Sequence, residues 1–353
     1  MTVSKRVKGA LKLCVVFGVL LLTLPAHAQT PDDLGSLNLT TSPLPINLTA
    51  KPGETVSTEL RIKNGGAKTE RLKVGLMKFS AYGEEGKPQL KDREPGDDYF
   101  DWVRFSETEF TADPDKWHTI QMTVDLPPEA ALGYYYAVTF SRADPPGTEQ
   151  VSAQIAGASA ILVLVDVDSP NAKRQLELES FGVAKRSYEF LPVRFVIKIK
   201  NSGNIHAVPS GSIFVNKGGK TVATLALNES RGNILPDSSR QFETLWSSGF
   251  PVYAEKLRDG AVVYKNDQPQ YELTWPTDQL RNLRFGRYTA VLTAVYDDGE
   301  KDVPLEAEVS FWVIPWRLLA IVVGLPLLTI GVIVYLVISR RQYRKKAVYR
   351  HEA

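Results

Sequence analysis

Across residues 37–313 apolar and polar positions alternate in short runs rich in β-branched and aromatic side chains, divided by Gly, Pro, Asn and Asp. Thr58-Glu-Leu-Arg-Ile-Lys63, His118-Thr-Ile-Gln-Met-Thr-Val124, Val193-Arg-Phe-Val-Ile-Lys-Ile199 and Tyr288-Thr-Ala-Val-Leu-Thr-Ala-Val295 are examples. A period of two sends neighbouring side chains to opposite faces of a strand, so each run predicts a strand with one buried face. No long amphipathic helical stretch interrupts them. Many short strands with turn residues at this spacing predict an all-β chain built from immunoglobulin-like sandwiches.

Two apolar runs break the alternation, one near each end. Residues 13–24 follow Lys5, Arg6, Lys8 and Lys12 and precede Ala26-His27-Ala28, the order of a signal peptide over residues 1–28. Residues 318–338 carry no charge, which is enough chain to cross about 30 Å of hydrocarbon as a helix. Trp312, Trp316 and Arg317 mark one side of it, and Tyr335, Arg340, Arg341, Arg344, Lys345 and Lys346 the other. The basic flank predicts a cytoplasmic tail at 339–353 beyond a transmembrane helix at 317–338, with everything before it outside the cell membrane.

A weak internal repeat divides the exported portion. Leu60-Arg-Ile-Lys-Asn64-Gly and Ile197-Lys-Ile-Lys-Asn201-Ser-Gly each end a strand at a turn, where Asn and Gly are expected to supply left-handed backbone geometry. Gly133-Tyr134-Tyr-Tyr-Ala-Val138 and Gly286-Arg-Tyr288-Thr-Ala-Val291 place a glycine before an aromatic strand, where immunoglobulin-like sandwiches lock a corner with tyrosine. These pairs place one sandwich at 36–168 and a second at 169–315, with a boundary at the turn residues 168–171 and a longer insertion in the second copy.

Charge sharpens the picture. The formal net charge is +2, yet residues 29–316 hold 31 basic and 39 acidic side chains. An acidic exterior argues against nucleic-acid binding, which needs a basic face. The one cysteine, Cys14, falls in the leader, and His118 and His206 are the histidines between leader and tail. That inventory predicts no zinc site, no Cys/His nucleophile and no cofactor, and neither a phosphate loop nor a Gly-x-Ser-x-Gly elbow occurs, so the chain is expected to be non-enzymatic. Asp92, Glu94, Asp97, Asp98 and Asp101 form an acidic segment whose oxygens suit calcium or simple solvation. Trp102 and Trp117 are expected in the core, and alternation assigns Tyr135 to the face opposite Tyr134 and Tyr136.

Aromatic residues of the second-domain insertion are the candidate partner-binding set: Trp246, Phe250, Tyr253, Tyr264, Tyr271 and Trp275. Tyrosine and tryptophan give stiff amphipathic contact area suited to glycan stacking or a protein contact, and the same residues also suit a small core beneath a loop.

Pro52-Gly53-Glu, Lys63-Asn64-Gly, Ala81-Tyr82-Gly83, Asp101-Trp102-Val103, Val124-Asp-Leu-Pro127-Pro-Glu-Ala130 and the strand from Gly133 follow one another in order. By these motifs residues 45–140 resemble the peptidoglycan-binding domain of WxL-interacting cell-surface proteins, while Ser141-Arg-Ala-Asp-Pro-Pro-Gly147 departs from the family's Gly-Gly stretch. It implies a signal peptide, two sandwiches, one membrane helix, and cell-wall glycan or another surface protein as partner. Sequence therefore points to a membrane-anchored surface protein for adhesion or scaffolding. The alternative is a membrane-tethered chaperone or assembly factor for exported subunits, since both use a sheet edge.

Overall fold

The computed structural model describes residues 37–143, 159–266 and 268–349. The expected leader at 1–28 and the end of the tail lie outside the described residues. The first sandwich comprises Leu39–Ser42 (β1), Ile46–Ala50 (β2), Thr55–Asn64 (β3), Glu70–Tyr82 (β4), Lys87–Lys91 (β5), Val103–Phe105 (β6), Glu109–Ala112 (β7), Trp117–Asp125 (β8), Gly133–Arg142 (β9) and Ser159–Val167 (β10). One sheet runs β1-β3-β8-β6, and the other runs β2-β10-β9-β4-β5 with β7 beside β4.

Prolines decide how the chain enters. β1 pairs antiparallel with β3, the chain crosses at Pro43 and Pro45, and β2 then lies parallel to β10 in the opposite sheet. Proline lacks the N–H that a ladder requires, so the first sheet ends there and the second takes over. Alternation fills the interior as expected: Leu60, Ile62, Ile120 and Met122 of one sheet meet Tyr136, Val138, Phe140 and Ile161 of the other.

The second sandwich repeats the plan with Leu176–Val183 (β11), Ser187–Tyr188 (β12), Val193–Asn201 (β13), Ser210–Lys217 (β14), Lys220–Leu227 (β15) and Ser239–Trp246 (β16), then Gly286–Asp297 (β23) and Asp302–Val313 (β24). Its sheets are β11-β13-β16 and β12-β24-β23-β14-β15. β11 pairs with β13 and the chain then switches sheets so that β12 lies parallel to β24. The insertion is an arm of short paired strands, Val252–Glu255 (β17), Leu257–Arg258 (β18), Ala261–Val262 (β19), Tyr264–Lys265 (β20), Gln268–Pro269 (β21) and Tyr271–Thr274 (β22), followed by a 3-10 turn at Thr277–Asn282.

The repeated asparagines act through their side chains. Asn64 Nδ2 donates to the Lys68 and Ala112 carbonyls, and its Oδ1 accepts from Gly66 N–H. Asn201 repeats this with Ile205, Ile234 and Gly203. Both are buried, and neither they nor the glycines that follow adopt positive φ. The expectation of left-handed backbone is thus corrected: a buried amide satisfies three groups that the turn would otherwise leave unpaired. The tyrosine corner does form in the second sandwich, where Phe285 N–H donates to the Tyr288 hydroxyl at 3.2 Å.

Glu70 and Arg142 join β4 to β9 by paired hydrogen bonds of 2.7 and 2.8 Å, each side chain largely shielded. The Arg142 hydrogen bond holds the Glu70 carboxyl below its ordinary value of 4.5. A depressed folded-state value means the stabilisation is complete above about pH 4.5 and is lost as pH falls through the folded value. Urea midpoints measured from about pH 6 down to 3 are expected to fall more steeply for the parent than for Arg142→Gln.

After β24 only Ile314 and Pro315 precede a helix, Trp316–Tyr349 (α1). Ile314 N–H donates to Tyr188 O at 2.7 Å, and Arg317 lies 3.4 Å from Glu189. Within Trp316–Arg340 none of the apolar window is buried, and the segment is long and apolar enough to cross a membrane. β24 has 12 residues, which at ~3.3 Å per residue sets the far end of the second sandwich about 40 Å from the helix.

Candidate functional site

The six aromatic candidates do not converge. Trp246 is fully buried, packing edge-on against Tyr288 at 5.2 Å and Phe311 at 6.2 Å, so it belongs to the core and not to a contact surface. The period-two pattern of β16 carries it inward. Phe250 lies edge-to-face with Trp275 at 5.6 Å, and Tyr253 packs on Phe190 at 6.0 Å. Tyr264, Tyr271 and Trp275 are exposed. In the first sandwich Trp102 packs on the core, whereas Trp117 is exposed at its far end beneath the Arg61 guanidinium.

Three carboxylates of the acidic segment are neutralised internally. Lys78 Nζ donates to Glu94 and Asp97, both at 2.8 Å, and Arg93 grips Asp101 with two bonds of 2.7 and 2.6 Å. The oxygens of Glu94, Asp97 and Asp101 are thereby satisfied by cations, and among the described residues no group of three or more His, Cys, Asp or Glu side chains is placed to hold a metal.

Tyr135 turns away from the core that takes Tyr134 and Tyr136 and faces the second sandwich, 5.9 Å from the His206 ring. His206 is buried, with Nδ1 2.8 Å from Asp166 Oδ1. Beside this polar junction Phe79, Ala137 and Leu164 of the first sandwich pack with Leu235 of the second. Sequence gave no signal for it, because the partners stand far apart in the chain and each alone reads as an ordinary strand or turn residue.

Two concavities flank the junction. A cleft of about 240 Å³ between the sandwiches is floored by Phe79, Leu162 and Leu164 and edged by Arg240. Arg240 donates to Asn233 O at 2.8 Å and lies over the Phe242 ring, and burial pushes its guanidinium below the usual arginine value. The larger groove, about 990 Å³, runs between β15 and β16 and is lined by Thr224, Ala226, Gln241, Glu243 and Leu245 among others.

The groove exists because no strand lies beyond β16. In the sheet β11-β13-β16 its inner edge pairs with β13 and its outer edge has no strand partner among the described residues. The first sandwich touches that outer edge at one point: Gln241 N–H donates to Glu84 O at 2.6 Å, next to a Lys198–Glu84 ion pair of 2.7 Å. Alternate residues of a strand direct their backbone groups to the same side, so Glu243 and Leu245 also present N–H and C=O outward along the groove. Thr244 Oγ1, bonded to Ala226 O at 3.1 Å, bridges the two strands. Such an edge accepts another extended backbone through ladder hydrogen bonds. Pattern reasoning identifies β16 as a strand, but sequence does not reveal which strand stands last in a sheet.

No family model matches the sequence, and no curated protein matches it. Among solved structures the chain is similar to the class 5 fimbriae chaperone CfaA, at 16% identity over 77% of this chain and 98% of that one, with a TM-score of 0.34. It is also similar to the E. coli chaperone DraB at 15% identity over 77% and 99% of the two chains, with a TM-score of 0.32. The Pseudomonas aeruginosa CupB2 chaperone matches at 9% identity over 78% and 100%, with a TM-score of 0.31.

Proposed function

We propose that this is a single-pass membrane protein that receives an extended segment of an exported or surface protein as an added strand along β16, acting as a tethered chaperone or assembly factor without chemistry of its own. The observation that carries the reading is the outward backbone of Glu243 and Leu245 on the groove beside β15. Each ladder bond contributes about 1 kcal/mol net, so a short run of them gives capture that is reversible. α1 holds the edge at a fixed height above the bilayer.

The test places a photo-crosslinking residue at Leu245 in the full chain in cells. Adducts mapping to extended segments of exported proteins, with new hydrogen-exchange protection at Glu243 and Leu245 when that segment is added back, are the expected result. Adducts with no protection at these amides overturn it.

A second reading draws on a separate observation, the exposed rings of Tyr264 and Tyr271 on the arm. Flat amphipathic rings of this kind suit stacking on cell-wall glycan, as the resemblance to WxL-interacting proteins implies, and would make the protein an adhesion or scaffolding component. Retention of the full chain by purified wall, lost on Tyr264→Ser with Tyr271→Ser, supports this reading over strand capture.

A further inference from the structure

The end of the second sandwich from which α1 departs carries a rim of exposed apolar side chains. Trp275, Leu280, Leu283, Phe285 and Trp312 are 52, 57, 52, 47 and 48% exposed. Pairing ties them to the helix start. Gly286 stands opposite Val313 and Arg287 opposite Trp312, so Phe285 lies beside the two-residue link to α1. Leu283 bridges to Phe250, whose N–H donates to Asn282 O at 3.0 Å and whose ring meets Trp275. These five side chains therefore share one end of the sandwich with α1. A water-facing surface seldom leaves such a group uncovered without an interaction to explain it.

Basic side chains stand at the same end. Arg281 and Arg287 are exposed, and Lys185, Arg186 and Lys217 come from the adjoining turns, with Arg186 O accepting the Trp312 N–H at 3.0 Å. Carboxylates here include Asp278 and Glu189, and Arg317 lies 3.4 Å from the second. Tryptophans flanked by arginines suit the boundary between acyl chains and phosphates. The link of Ile314 and Pro315, tied down by the Ile314–Tyr188 bond, leaves little slack for the sandwich to stand off from the bilayer.

We propose that this rim is seated in the outer leaflet of the membrane that holds α1, with Trp275, Leu280, Leu283, Phe285 and Trp312 at the acyl boundary and Arg281 and Arg287 on the phosphates of anionic lipid. The inference rests on α1 spanning that membrane. Seating fixes the tilt of both sandwiches, so that the β16 edge is held at one orientation instead of swinging about a flexible stalk.

The full chain carrying Cys14→Ser is reconstituted into vesicles of phosphatidylcholine, alone or mixed with phosphatidylglycerol. Single nitroxide labels are placed at Leu283→Cys, at Leu328→Cys in the helix and at Lys116→Cys in the first sandwich, and their accessibility to oxygen and to an aqueous nickel chelate is read. The expected result is a label at 328 in hydrocarbon, one at 116 in water, and one at 283 at interfacial depth in the anionic vesicles. Arg281→Gln and Arg287→Gln are each expected to shift the ratio of seated to water-exposed label at 283 about fivefold, equivalent to roughly 1 kcal/mol per basic residue near an anionic surface. A label at 328 in water overturns the spanning helix and the rim with it. With 328 in hydrocarbon but 283 in water in both vesicle types, the rim alone is overturned. Equal seating in neutral and anionic vesicles overturns the role given to the arginines.

Discussion

Trp246→Ala is expected to destabilise the second sandwich by about 3–5 kcal/mol, the range for deleting a fully buried large aromatic side chain. The indole is inaccessible to solvent, meets Tyr288 and Phe311 edge-on, and is overlaid by the Arg284 guanidinium at 5.3 Å. Its removal leaves a void where β16, β23 and β24 converge. The surrounding side chains come from three strands fixed by ladders, so collapse onto the space is limited. Trp246→Phe is expected to cost much less, because the buried Nε1 has no hydrogen-bond partner among the described residues and its loss forfeits packing only. Urea unfolding followed by hydrogen exchange separates the two sandwiches: protection should fall in β13, β16 and β23 and remain in β3, β8 and β9. Equal loss in both sandwiches would show that the junction at Asp166 and His206 unfolds them as one unit, contrary to this expectation.

Glu243→Pro is expected to weaken strand capture about tenfold or more while leaving the fold intact. Glu243 lies on the outer side of β16, so the substitution removes an outward N–H and spares the bonds to β13. The proline ring also obstructs an incoming backbone. Loss of one ladder bond with the steric block should weaken capture about tenfold or more. The ion pair from Glu243 to Arg194 spans exposed side chains, and Glu243→Gln removes it without touching the backbone. Capture should therefore survive Glu243→Gln, since exposed pairs contribute little. Equal capture by parent and Glu243→Pro, with both folded by circular dichroism, would rule out β16 as the receiving edge.

Legibility in the sequence followed the range of the interactions involved. Leu60 and Ile62, or Phe195 and Ile197, announce a buried face because alternation is local to one strand. The apolar residues of 318–338 announce a helix fit for a bilayer by length alone. Asn64 and Asn201 are visible as a repeat, but turn statistics favour a backbone explanation, whereas the amides bind carbonyls of Ala112 and Ile234 much further along the chain. Trp246 joins the candidate aromatic set because it is close in sequence to the insertion. The ladder to β13 ends on it, and strand parity sends it inward. Tyr135 shows the complementary case, since alternation separated it from its neighbours and only the second sandwich decided what it faces.

Local patterning thus determined the all-β class, the two repeated units and the apolar helix, because strand periodicity and span length are properties of consecutive residues. Tertiary structure decided which strand stands at an edge, that Asp166, His206 and Tyr135 meet between the sandwiches, and that Leu283, Trp275 and Trp312 gather where the helix departs. These depend on pairing between residues far apart in the chain, and in a sheet such pairing is set by register and strand order that no single segment encodes.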